Sequence, residues 1–207
     1  MIKKQRRKSV SKNIIMFSFL LAATTLSVTN AVTVDYFFGS LWPGCKAFGG
    51  GDYVKLFQEF QGTPNTTFNL PCPAYKPADG HCIHEPDCAW ETLTLCAFQV
   101  ANDLNTSVTF LACMDGIAEI GGDATAAGTT CAGQTGIDFS SVSSCITSDG
   151  PTLLDAAGKK YTAAIVPEGK ESFVPDVQIN GVHQIPSYTE PKLKAAICAG
   201  GSGAAFC

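Results

Sequence analysis

The sequence predicts an α/β domain whose strands lie near its two ends, with a cysteine-rich helical block between them. Three observations carry that prediction. Residues Val32–Phe38 (Val-Thr-Val-Asp-Tyr-Phe-Phe) are β-branched and aromatic, the composition of a strand. Trp90, Leu93, Ala97, Val100, Ala101 and Leu104 recur at helical spacing. Residues 173–179 alternate again and run into Asn180-Gly181, a strong hairpin-turn signal.

Length and composition bound the rest. The chain has 207 residues, 45% of them hydrophobic and 15% charged, which suits one domain, with or without a large insertion. That apolar content excludes a disordered chain. The 20 glycines and 11 prolines follow no period of three, which excludes collagen.

The elements follow in order. Residues 1–31 read as a secretory leader: six basic residues and no acid in the first twelve, an apolar run over 14–28, then Thr29-Asn30-Ala31. The run is 15 residues, short for a membrane span of about 20; an uncleaved anchor is the rival reading. Without the leader, eight basic residues face 18 acidic ones, a net charge near −10. No basic patch remains, so nucleic acid is not an expected partner. No later apolar run is long enough to span a bilayer, so no membrane contact is expected after cleavage.

After the strand at Val32–Phe38, residues 39–44 (Gly-Ser-Leu-Trp-Pro-Gly) read as a turn and a helix opens near Cys45. Gly49-Gly50-Gly51 should delay or break that helix. Residues 66–70 predict a second strand, closed by Pro71-Cys72-Pro73. Residues 74–84 read as a loop. Two helices follow, one around 90–104 with Glu91, Gln99 and Asn102 on its polar face, and one over 109–120. Residues 121–136, rich in Gly, Ala and Thr, read as a loop pinned by Cys131; 139–156 holds a short helix. After the strand at 173–179, residues 191–199 fit a closing helix with Pro at its start. No internal repeat appears.

That order is the one a thioredoxin-like sheet with a helical insertion would show. In such a fold the proline entering the late strand, here Pro175 after Val174, is expected to be cis and to face the cysteine. An ordinary trans proline at a strand start is the alternative.

All ten cysteines lie after the leader, and an even count in an oxidising compartment reads as a disulfide framework. Two sequons, at Asn65 and Asn105, agree with export and are candidate glycosylation sites.

The cysteine block carries a resemblance. Cys82-Ile-His84-Glu-Pro-Asp87-Cys88, then Cys96 eight residues on, then Phe110-Leu-Ala-Cys113-Met, resembles the gamma-interferon-inducible lysosomal thiol reductase family. That family carries Cys-Gln-His-Gly-x-x-Glu-Cys-x-x-Asn-x-x-x-x-Cys. The Cys45-Lys-Ala-Phe48 segment, the stretch 173–181 around Pro175, and the terminal pair Cys198 and Cys207 agree with it. The likeness covers residues 32–207. It departs at several points: Cys82 and Cys88 are six apart rather than seven, Ile83 stands for Gln and Glu91 for Asn.

The resemblance implies one thioredoxin-like thiol reductase domain over 32–207, with an insertion over about 80–155. It implies a thiol–disulfide oxidoreductase acting on disulfide-containing or extended polypeptides, secreted or endolysosomal, with no cofactor and no metal. It places eight cysteines (Cys82, Cys88, Cys96, Cys113, Cys131, Cys145, Cys198 and Cys207) in structural disulfides, their pairing open. The family's active site is Cys-x-x-Cys after the first strand. Here that stretch is Trp42-Pro43-Gly44-Cys45. The first thiol of such a motif sits at a helix N-terminus, is ionised there and attacks the substrate disulfide; the second releases the product. Trp42 cannot do this. Cys45 is then the surviving redox candidate.

Cys72 is the remaining cysteine. The ends of the first two strands are neighbours in such a sheet, so a Cys45–Cys72 bond is expected, either a relocated redox pair or a static staple. A binding protein that keeps the fold and its peptide groove without catalysis is the other reading. Zinc held by His81, Cys82, His84 and Cys88, and a Cys–His nucleophile using His84 or His183, are weaker alternatives.

Overall fold

The computed structural model describes residues 31–76, 80–83, 87–165, 173–184 and 189–207. The leader and His84 lie outside the described residues. β1 (Val32–Phe38) is the central strand. One of its edges is lined by β2 (Thr66–Phe68) and then β3 (Cys72–Pro73), both parallel to it. The other edge pairs antiparallel with β6 (Asp176–Ile179), which turns through Asn180-Gly181 into β7 (Val182–His183). The turn residues have φ of 53° and 74°, the left-handed values an Asn-Gly hairpin needs. The order β2-β1-β6-β7 is the mixed sheet the thioredoxin-like reading expects.

β1 is buried on both faces, which explains its unbroken apolar end. Tyr36 meets Phe48 and Tyr53 of the following helical segment, with ring centroids 5.2 and 4.6 Å away. Phe37 points the other way, onto Tyr161 of α7 (Gly150–Ile165), 5.7 Å away. Asp35, on the same face as Phe37, pairs with Lys160 at 3.1 Å.

The three glycines do not end the first helix. α1 (Pro43–Ala47) passes into a π-helical turn (Phe48–Tyr53) and on into α2 (Val54–Phe60). A Cβ on Gly49 would lie 2.0 Å from Asp115 Oδ2, so the glycine is there for close approach.

The insertion is more helical than its composition suggests. α3 (Asp87–Ala101) and α4 (Leu104–Ile117) match the two expected helices. The stretch expected as a loop over 121–136 contains α5 (Ala124–Thr135). Asp123 caps its first turn through Thr125 N–H and Ala126 N–H, and left-handed Gly136 ends it. The single helix expected over 139–156 is two, α6 (Phe139–Ser148) and α7, which runs on to Ile165. Residues expected as loop between 74 and 84 include a two-stranded ribbon, β4 (Tyr75–Lys76) with β5 (His81–Cys82). α8 (Glu190–Ala199) closes the chain as expected. Glu91, placed on a polar face, is fully buried.

Four disulfides brace this arrangement: Cys82–Cys88, Cys96–Cys145 between α3 and α6, Cys113–Cys131 between α4 and α5, and Cys198–Cys207 after α8. The Cys96–Cys145 link closes the longest loop, 49 residues, and by loop-closure entropy stabilises by about 4 kcal/mol.

Candidate functional site

The C-terminal end of β1 delivers the chain to the site. Gly39 to Leu41 turn it, Trp42 is the N-cap of α1, and Pro43 takes the first helical position. Cys45 is therefore the third residue of the helix. Its sulfur accepts a hydrogen bond from Gly39 N–H at 3.3 Å, and its carbonyl accepts one from Tyr36 Oη at 3.2 Å. The Cys45 side chain is sealed, with 0% exposure, whereas Trp42 is 40% exposed.

The Val174–Pro175 peptide bond is cis. A Cβ on Gly44 would lie 3.4 Å from Pro175 Cδ and 3.2 Å from Trp42 Nε1. The cis-proline thus packs against the first turn of α1, beside the indole. Phe173, two residues before it, is also exposed.

The bond expected between Cys45 and Cys72 is not formed; both are buried thiols. Cys72 lies opposite Phe37 in the ladder and so shares its face, and its sulfur reaches Ala157 O of α7 at 3.4 Å. Cys45 lies on the Tyr36 face. The sheet separates them, which strand-end proximity alone does not reveal. Burial pushes the Cys72 thiol up to about 12, an effect that Lys160 opposes and Glu91 and Asp35 reinforce. Cys72 is inert as a nucleophile at neutral pH.

His183 is also on the far face. Its Nδ1 lies 2.8 Å from Asp176 Oδ1, and Gln178 Nε2 donates to Asp176 Oδ2 at 2.8 Å. Asp176 pairs with Phe37 in register, so this cluster sits across the sheet from Cys45 and makes no Cys–His nucleophile. Cys82 and Cys88 are bonded to each other, so the zinc reading loses its thiolates. Among the described residues no group of three or more His, Cys, Asp or Glu side chains could hold a metal ion.

Sequence reasoning missed Asp115. It projects from α4 to the π-helical turn behind Cys45, and its Oδ2 receives no hydrogen bond. Burial pushes its carboxyl well above the usual range, and nearby Lys46 only partly offsets this. Lys46 Nζ instead donates to Ala118 O. The one sequence signal was an acid inside the apolar run Phe110-Leu-Ala-Cys-Met-Asp115. Of the two sequons, Asn105 is exposed on the first turn of α4. Asn65 is half-buried, its Nδ2 2.8 Å from where a Cβ on Gly203 would sit.

No protein-family model and no curated protein matches the sequence. Solved structures do match the fold. Chlamydia trachomatis DsbA is similar with a TM-score of 0.65 and 12% identity, over 82% of this chain and 86% of that one. Bacillus subtilis BdbD is similar at 0.59 and 15%, over 83% and 88%. MdbA, a thiol-disulfide oxidoreductase from Corynebacterium diphtheriae, is similar at 0.59 and 14%, over 83% and 86%. At these identities the likeness establishes the fold: a thioredoxin-like α/β domain with a mixed sheet, a helical insertion and several disulfides.

Proposed function

We propose that this chain is an exported polypeptide-binding protein on a thiol–disulfide oxidoreductase scaffold, akin to the lysosomal thiol reductases, which holds extended polypeptides without reducing them. The carrying observation is the exposed indole of Trp42 at the helix N-cap, against cis-Pro175, in front of a sealed Cys45. Attack on a substrate disulfide requires the sulfur to reach an S–S bond of another chain in line, and a sulfur with no exposed surface cannot do so. The apolar surface of Trp42 and Phe173 suits a side chain of an extended segment. Export rests on residues 1–31, read as a leader; among the described residues no helix is long and apolar enough to cross a membrane. The compartment, endolysosomal or extracellular, follows from the family resemblance alone.

One observation favours a second reading, single-thiol exchange at Cys45. The sulfur sits in the first turn of a helix and accepts Gly39 N–H, beside cis-Pro175, the position a thiol needs for exchange at this end of the sheet.

Two measurements separate the readings. Binding of a reduced, unfolded polypeptide is followed by Trp42 fluorescence, and insulin reduction is measured at pH 5 and pH 7 with Cys45→Ser as control. The binder shows saturable quenching and no reductase rate above background. A rate that Cys45→Ser abolishes establishes exchange and overturns the binder.

A further inference from the structure

The open edge of the sheet presents a second surface, at the opposite end of β1. β2 pairs with β1 and, among the described residues, with no other strand. Asn65 C=O accepts from Val32 N–H, and Asn69 N–H donates to Val34 O. The odd-numbered positions therefore face β1. By the alternation of a strand, Thr66 C=O, both main-chain groups of Phe68 and Leu70 N–H face outward.

Those groups border two clefts, of about 520 Å³ and about 280 Å³, which share Phe68, Asp103 and Leu104. The far wall is the elbow between α3 and α4, where Asn102 turns the chain at a φ of 46° and Asp103 caps α4. Leu70, Leu95 and Phe98 add apolar lining, and Leu70 is 41% exposed. Asp103 is the only charged residue in either lining. Its Oδ2 is anchored by Thr106 N–H at 2.7 Å, so the charge has a fixed place.

We infer that this cleft binds an extended polypeptide segment as an added strand on β2, apolar at alternate positions and basic opposite Asp103. The unpaired edge supplies main-chain affinity, the apolar floor takes alternate side chains, and the single acid selects a cation. Charge argues against a second copy as occupant. Two chains are acidic, −4 each in full and near −10 each without the leader, so they repel, and each would bring its own Asp103 to the edge. The surface is separate from the Trp42 site: Phe68 pairs with Val34, four residues or about 13 Å before the end of β1. It does not depend on the reading of that site.

The test uses the disulfide-bonded chain and three labelled decapeptides, followed by fluorescence anisotropy. One alternates Val and Lys, one alternates Val and Glu, and one is the Val–Lys peptide N-methylated at every second amide. Expected are saturable binding of the Val–Lys peptide, at least tenfold weaker binding of the methylated form, and no binding of the Val–Glu form. Asp103→Asn keeps a capping side chain and should weaken binding about threefold while flattening its salt dependence. Hydrogen exchange should slow at Phe68 and Leu70 in the complex. Failure of the Val–Lys peptide to bind, equal binding of its methylated form, or no protection at Phe68 and Leu70 would each overturn the proposal. So would concentration-dependent protection of Phe68 and Leu70 without peptide, which would give the edge to a second copy.

Discussion

Asp115 places its carboxyl in the space that Gly49 leaves empty, and two expectations follow from that contact. Gly49→Ala would put a methyl 2.0 Å from Oδ2 and push the Asp115 carboxyl out of its place against the π-helical turn. The expected loss is about 2–3 kcal/mol, read by urea unfolding. The second expectation concerns pH. Burial keeps the Asp115 proton in the folded chain well above the pH at which the unfolded chain releases it, about 3.9. Above that pH the unfolded state binds fewer protons at this site, so its contribution to stability falls as pH rises. Unfolding free energies of the parent and Asp115→Asn, compared from pH 4 to pH 7, should diverge in favour of the Asn variant. Parallel curves would refute an ionisable, buried Asp115. Cys72 adds a fall of the same sign above about pH 8.5, ending near its folded value of about 12. Asp115 was hard to find in the sequence because its environment is supplied by a different helix. Cys45, Trp42 and Pro175 were legible because their neighbours are near in sequence or share a strand end. The Cys45–Cys72 bond failed because strand-end proximity says nothing about which face each residue takes. The ladder register decides that, and the register places a sheet between the thiols.

Helix termini decide the elements that composition misread. Residues 124–135 hold four threonines and two glycines, poor helix formers, and read as a loop. The helix forms because Asp123 satisfies two N–H groups at its start, Gly136 closes its end, and Cys131 ties it to Cys113. A cap on so weak a helix should be unusually visible. Asp123→Ala is expected to cost about 1 kcal/mol, or about 2–4 °C in Tm, by calorimetry with the disulfides intact. Asp123→Asn, which can still cap, should recover most of it. An Ala variant as stable as the parent would show that the disulfide and packing alone hold α5. The π-helical turn belongs to the same lesson. Gly49-Gly50-Gly51 signals a break by local rules, but packing of Gly49 and Gly50 against Asp115 and α4 makes that pair a close-contact surface inside one continuous helical run.

At the scale of the molecule, the sheet order, cis-proline loop and helical insertion form a scaffold that positions a helix N-terminus against Pro175, with a tryptophan where a first thiol would stand. The thioredoxin-like α/β class was legible because strand composition and the order of elements survive even where local signals mislead. If the scaffold is intact, one substitution should restore dithiol chemistry. Trp42 is the N-cap and Cys45 the third helical residue, so Trp42→Cys would put two thiols on adjacent positions of one turn, within disulfide reach. The new thiol would take the exposed place of the indole, where the helix N-terminus favours thiolate. It would attack a substrate disulfide to give a mixed disulfide, and Cys45 would displace the reduced product by closing a disulfide to the introduced sulfur. A supplied dithiol such as dithiothreitol would then return the pair to the reduced form. The expected outcome is insulin reduction in the Trp42→Cys chain, none in Trp42→Ala, and stalled mixed disulfide in the Trp42→Cys, Cys45→Ser double variant, seen by mass spectrometry. A double variant that turns over as fast as the single one would remove Cys45 from the resolving role. A Trp42→Cys chain that folds with cis-Pro175 in place yet reduces nothing would show that this scaffold lacks more than the first thiol.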